Sequence, residues 1–174
     1  MRVFLNVEGM SQWSDDVRSE YHPSACGPTT AFVILNYLCI DHTIPKKSVN
    51  DLYKILGGTK IGLFKWRLIK NLRKVLGPKF HIASCHLPEA LEQLRLGYPV
   101  AMKFDQYFSF QWFLKKRPLF KYHWVPLIGY EIKDDELYLI IHDNGGPNRE
   151  SEIRSFRYED SRSVVSFVKI EPKA

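Results

Sequence analysis

No stretch of this sequence approaches the ~20 consecutive apolar residues that a membrane-spanning helix needs, so no integral membrane segment is expected. Cysteine is scarce, with three residues at positions 26, 39 and 85. Their scattered placement excludes a disulfide framework, and their odd number leaves at least one free thiol. Zinc-finger spacing, an aromatic RNA-platform motif and a glycine-rich phosphate loop are all missing, which argues against a nucleic-acid partner. The sequence also lacks internal repeats, low-complexity tracts and linker-like stretches, so residues 1–174 read as a single domain. The N-terminus, MRVFLNVEGMSQW, has neither the long apolar core nor the small-residue cleavage site of a signal peptide. A cytoplasmic location is the resulting expectation.

What is present is sufficient for an ordinary core. Hydrophobic residues make up 45% of the chain and aromatic residues 14%, so folding needs neither disulfides nor a structural metal. The net charge of +6 is spread along the chain, with small clusters at Lys46-Lys47, Lys65 to Lys74 and Lys115 to Arg117. A solvated basic surface explains this balance more simply than acidic partners do.

The pattern of residues predicts helices first and strands second. A short strand over residues 3–7 leads into a polar loop from Glu8 to Ser24. A helix from about Gly27 to Ile40 follows; Ala31-Phe32-Val33-Ile34-Leu35 is apolar on all sides, which marks a helix buried at the centre of the fold. Ser48 is a good N-cap for a second helix that stops at Gly57-Gly58. A third helix, Leu63 to Leu76, presents Phe64, Leu68, Leu72 and Val75 on one face and is ended by Gly77-Pro78. A short strand at Phe80 to Ala83 and a helix at Pro88 to Leu96 come next. Beyond Gly97, the segments Val100–Phe104, Tyr122–Ile132, Leu137–Ile141, Ile153–Tyr158 and Val164–Ile170 are rich in β-branched and aromatic residues and read as strands. The fold class is therefore α+β, with an antiparallel sheet packed on the buried first helix.

Two short motifs carry chemistry. Cys26-Gly27-Pro28-Thr29 sits where the polar loop enters the buried helix. A thiol at a helix N-terminus meets the positive end of the macrodipole and unsatisfied N–H groups, and both favour thiolate. Gly27 permits close backbone approach, and Pro28 suits the first turn. A buried, inert cysteine is an equally weighted reading of this motif alone. The second motif is His123-Trp124-Val125-Pro126, at the start of a strand. The tight polar connection Lys133 to Glu136 makes that strand pair antiparallel with the next, which ends in Asp143. His123 and Asp143 then fall at one end of the sheet. There a carboxylate can accept the Nδ1–H of His123 and leave Nε2 facing the thiol. Alone, each residue has a plainer explanation: His123 as a half-buried histidine, and Asp143 as the first residue of an Asp-Asn-Gly-Gly turn.

The order Gln12, Cys26-Gly27-Pro28-Thr29, Gly97-Tyr98-Pro99-Val100, His123-Trp124-Val125 with Ile128-Gly129-Tyr130, and Asp143 resembles the papain-like cysteine peptidases related to the bacteriocin-processing, double-glycine leader peptidases. It is similar in particular to their stand-alone bacterial relatives without a transporter. The resemblance spans about Val3 to Gly146. It implies Cys26 as nucleophile, His123 as general base and Asp143 as the carboxylate that orients the imidazole. It also implies Gln12 as side-chain donor of the oxyanion hole beside the Cys26 N–H. Asn144 remains an alternative for the orienting role, since papain-like sites often use Asn there.

The implied activity is peptide-bond hydrolysis through a thioester on Cys26, with a peptide or protein substrate and no cofactor. A catalytically silent peptide-binding module, and a thiol acyltransferase or deamidase, are the alternatives. The oligomeric state is not readable. Pro126 departs from the pattern, because within a strand it fits only at an edge or a bulge. The aromatic-basic segment 105–121 reads either as core packing or as a lip beside His123. His81, Cys85 and His86 lie close in sequence without the second ligand cluster of a metal site, and Cys39 reads as core. The basic face of the third helix reads as solvated ahead of membrane-associated.

Overall fold

The computed structural model describes residues 1–38, 47–107 and 117–173. Local signals set most element boundaries. Helix α1 spans Cys26–Tyr37, with Pro28 in its first turn. Helix α2, Val49–Leu56, starts at a capping box in which Ser48 and Asp51 satisfy each other's backbone, and it ends at Gly57 with φ 78°. Helix α3 is Lys65–Leu76, and α4 is Leu87–Arg95, opened by a box between His86 and Glu89.

The strands are β1 Arg2–Phe4, β2 Phe80–Cys85, β3 Val100–Asp105, β4 Tyr122–Lys133, β5 Glu136–Asp143, β6 Glu152–Arg157 and β7 Val165–Pro172. They form one sheet in the order β2-β7-β3-β4-β5-β6, with β1 paired to the far half of β4. Every pairing is antiparallel. The α+β expectation thus matches the observed architecture, and the expected strands all appear within a few residues of their bounds.

Two boundaries differ for physical reasons. Strand β1 stops at Phe4 rather than residue 7 because Val7 donates back to the Leu5 carbonyl, folding the chain away from β4. The expected helix at Leu63 starts at Lys65, because the Leu63 carbonyl is committed to side chains of β4. The expected end of α1 at Ile40, and Cys39 with it, lie outside the described residues.

Alternation along β3 and β4 divides the core. Ala101 and Trp124 pack with Ile34 of α1, Leu52 of α2 and Leu68 and Leu72 of α3 on one face. Met102, Phe104, Val125 and Leu127 pack with Ala90 and Leu94 of α4 on the other. Among the described residues no helix is long and apolar enough to cross a membrane.

One irregularity prepares the site. The β4–β5 hairpin turns through Asp134 and Asp135, both at left-handed φ (51° and 59°), as a tight two-residue turn requires. From there its ladder runs back only to Leu127 opposite Ile141, with a bulge between Leu127 and Gly129. Pro126 falls just beyond, where β5 no longer pairs with β4, which is the edge-like position a proline needs. The start of β4 and the end of β5 are left as a fork.

Candidate active site

Asn144, the first residue past β5, occupies this fork. Its Nδ2 donates to the Cys26 carbonyl at 3.1 Å, the Thr30 hydroxyl at 3.0 Å and the Trp124 carbonyl at 2.9 Å. A single buried amide thereby ties the first turn of α1 to the start of β4. Trp124, fully buried, donates through Nε1 to the Leu63 carbonyl at 2.9 Å, and the Tyr122 hydroxyl donates to the same oxygen at 3.3 Å. Gly27 lies against this wall: a Cβ there would sit 2.8 Å from the Leu63 Cβ, so the close approach requires glycine.

Cys26 is buried at the N-terminal end of α1, 4% exposed. Burial alone would push its thiol up, but the hydrogen bond and charge of His123 outweigh that. The backbone N–H groups of Trp124 and Gly27 add to the effect, and the net result is a thiol held below its ordinary value. His123 leans edge-on to Phe120, with ring centroids 4.6 Å apart. Burial disfavours its charged form, yet Asp143 and Cys26 together raise it to about 9. Each group therefore favours the charged form of the other.

The ring is turned the opposite way from the sequence-based expectation. Nε2, not Nδ1, meets the Asp143 Oδ1, at 3.0 Å. Nδ1 is therefore the nitrogen left for the thiol. The fork sets the carboxylate beyond the ring's far nitrogen, and Cys26 hydrogen-bonds to the same ring. Asp143, not Asn144, is the ring's partner; Asn144 is turned toward α1.

Asp143 is completely buried, and two arginines share its second oxygen: Arg149 at 2.8 Å and Arg154 at 3.2 Å. Burial by itself would raise the carboxyl, but His123 and then the two guanidiniums hold it at about 2. Neither arginine is legible as a site residue in the sequence. Arg154 faces Ile141 across the β5–β6 ladder, and Arg149 closes a short bridge with Gly146. Only that register brings both to a carboxylate that sequence reasoning had already singled out.

Gln12 is buried, 4% exposed, and belongs to the same cluster. Its backbone N–H donates to the Asn144 carbonyl at 2.9 Å. Its Nε2 donates to the His22 carbonyl at 2.6 Å, in the 3-10 turn His22–Ser24 that leads directly into Cys26. Its Oε1 is buried without a protein partner. The four residues singled out from sequence thus converge: Cys26 on His123, His123 on Asp143, and Gln12 on the turn before Cys26.

The remaining candidates fall elsewhere. His81 pairs with Glu171, His86 caps α4, and Cys85 is a buried thiol that desolvation pushes up to about 11. No metal-binding group of three or more His, Cys, Asp or Glu occurs among the described residues. Of the aromatic-basic segment 105–121, residues 108–116 lie outside the described residues. Phe120 touches both Phe104 and the His123 ring, so it fits either reading.

No protein-family model and no curated protein matches the chain. Among solved structures it resembles a Bacillus anthracis protein assigned to the C39-like peptidases, with a TM-score of 0.61 at 16% identity. That match covers 100% of this chain and 99% of the other. It also resembles the peptidase domain of Streptococcus ComA, a bifunctional ABC transporter of a quorum-sensing pathway, with a TM-score of 0.55 at 14% identity. There the match covers 86% of this chain and 92% of that domain. The chain therefore has the fold of the C39 peptidase domains, in which an antiparallel sheet backs a buried helix.

Proposed function

We propose that the chain is a cysteine peptidase that cleaves peptide bonds through Cys26, His123, Asp143 and Gln12. One observation carries the reading: a thiol at a helix N-terminus is drawn toward thiolate by an imidazole whose far nitrogen rests on a buried carboxylate. It is the arrangement that nucleophilic catalysis requires.

The steps follow from where the protons reside. The Cys26 Sγ, already ionised, attacks the substrate carbonyl carbon, and a C–S bond forms as the carbonyl oxygen takes up the negative charge. The Cys26 N–H belongs to the first turn, whose donors have no intrahelical partner. Gln12 Nε2 carries a second N–H beyond the one given to His22. These two donors stabilise the oxyanion. The imidazolium of His123 passes its Nδ1 proton to the departing amine as the C–N bond breaks, leaving a thioester. His123, now neutral, takes a proton from water; the resulting hydroxide adds to the thioester, the C–S bond breaks, and a carboxylic acid leaves. Asp143 keeps the ring in place throughout and stabilises its charged form.

Incubation with a mixed peptide library, followed by mass spectrometry, tests the reading. The expected result is backbone cleavage with a transient acyl adduct on Cys26, both absent in Cys26→Ala. Intact peptides one mass unit heavier would instead identify a deamidase, and peptide binding without turnover would identify a silent binding module.

A further inference from the structure

Although basic residues are spread along the chain, acidic ones are missing from one long stretch. Between Asp51 and Glu89 there are eight Lys and Arg residues and not one Asp or Glu, so this stretch alone exceeds the net charge of +6. At its centre is α3, which buries Leu68, Leu72 and Leu76 in the core. Trp66, Lys70 and Lys74 recur every four residues on the opposite, exposed side. Trp66 is 58% exposed, and Ile61, in the loop just before the helix, is 66% exposed. The Arg67 guanidinium lies 5.2 Å from the centroid of the Trp66 ring, and the Lys70 ammonium 6.0 Å.

We infer that this face of α3 docks on an anionic lipid bilayer. An exposed indole flanked by cations has an apolar body and a charged rim, and that chemistry partitions into the headgroup region. The basic side chains would engage lipid phosphates, while Trp66 and Ile61 enter the acyl boundary. An exposed aliphatic residue in the loop leading into the helix fits hydrocarbon and has no counterpart on a nucleic-acid backbone. A protein partner fits less well, because protein interfaces are depleted in lysine. A bilayer asks for no fixed register, which suits flexible lysines on a single helical stripe.

The docking face adjoins the candidate site. Ile61 lies two residues from Leu63, whose carbonyl is shared by Trp124 and Tyr122. Contact at Ile61 therefore falls within ~7 Å of chain from the wall behind Cys26. The inference does not depend on catalysis, and Cys26→Ser is expected to bind membranes as the wild type does.

Sedimentation of the full chain with vesicles is the test. Phosphatidylcholine vesicles containing 30% phosphatidylserine are compared with phosphatidylcholine alone, at ~50 mM and ~500 mM salt. Binding is expected only to the anionic vesicles and mainly at low salt. Each basic side chain near such a surface contributes about fivefold, so Lys70→Gln with Lys74→Gln should weaken partitioning roughly thirtyfold. Trp66→Ala should weaken it further and abolish a blue shift in tryptophan emission. Circular dichroism establishes that each variant is folded. Equal binding to both vesicle types, no binding to either, or unchanged binding by the lysine variant would overturn the inference. So would a preference for polyglutamate or a single-stranded oligonucleotide over the vesicles, which would assign the face to an acidic protein or to nucleic acid.

Discussion

Replacing Asp143 with Asn tests the electrostatic account of the site most sharply, because papain-like sites often place an amide at this position. Here the amide would face Arg149 and Arg154, which lie 2.8 and 3.2 Å from one carboxylate oxygen. Without the carboxylate, His123 loses its anion at 3.0 Å, and both guanidiniums then oppose its protonation. Cys26 should drift back toward the ordinary thiol value of about 8.5. At pH 6 its thiolate would be about one part in 300, while the gain in intrinsic nucleophilicity returns about tenfold. Iodoacetamide alkylation of Cys26 at pH 6 should therefore slow, by about thirtyfold at most, the limit set by a fully ionised wild-type thiol. Adding Arg149→Gln and Arg154→Gln removes the opposing cations. Each is more than a third exposed, so its effect is discounted to about 0.7 kcal/mol, or about tenfold recovery for the two together. The assay follows the alkylation rate of Cys26 against pH in wild type, single and triple variants. A single variant within threefold of wild type, or a triple variant slower than the single one, would refute the reasoning.

Four further outcomes follow from the same geometry. Gln12→Ala should lower kcat about 10²- to 10³-fold while leaving the pH dependence of Cys26 alkylation unchanged, since Gln12 serves the oxyanion rather than the thiolate. Asn144→Ala removes the amide shared by Cys26, Thr30 and Trp124. With those acceptors left buried, it should cost about 3 kcal/mol and lower Tm by about 6–12 °C in a calorimetric scan. The plot of kcat/KM against pH should fall on its alkaline side near 9, as the raised His123 loses its proton. Stability has the same sign there. A group with a raised folded-state pKa contributes fully below its unfolded value of about 6.5 and loses that contribution as pH rises through about 9. Asp143 acts oppositely, contributing above about 3.9 and losing it as pH falls through about 2. Urea titrations at pH 3, 7 and 10 check both limbs.

The sequence by itself determined the elements and their type. Ser48 before Val49-Asn50-Asp51, Gly57 after Leu56, and the strand-rich run beyond Gly97 are local signals, read within a few residues of where they act. It also determined that His123 and Asp143 share one end of the sheet, because a two-residue connection leaves β4 and β5 only one antiparallel arrangement. Cys26 at the mouth of a buried helix was legible for the same local reason.

Tertiary structure decided the rest. Which nitrogen of His123 faces the thiol depends on how α1 meets the fork between β4 and β5, and no spacing along the chain encodes that angle. Asp143 and Asn144 are adjacent and chemically similar, and only the fork separates them: one is turned to the imidazole, the other to α1. Arg149 and Arg154 reach Asp143 through the register of β6 and a short bridge, a long-range pairing that leaves no periodic trace. Leu63 reads in sequence as the start of a helix, yet its carbonyl is claimed by Tyr122 and Trp124 some 60 residues away. Local propensity sets what a segment becomes, whereas hydrogen bonds between distant segments set which polar groups meet, and the chemistry of this site belongs to the second kind.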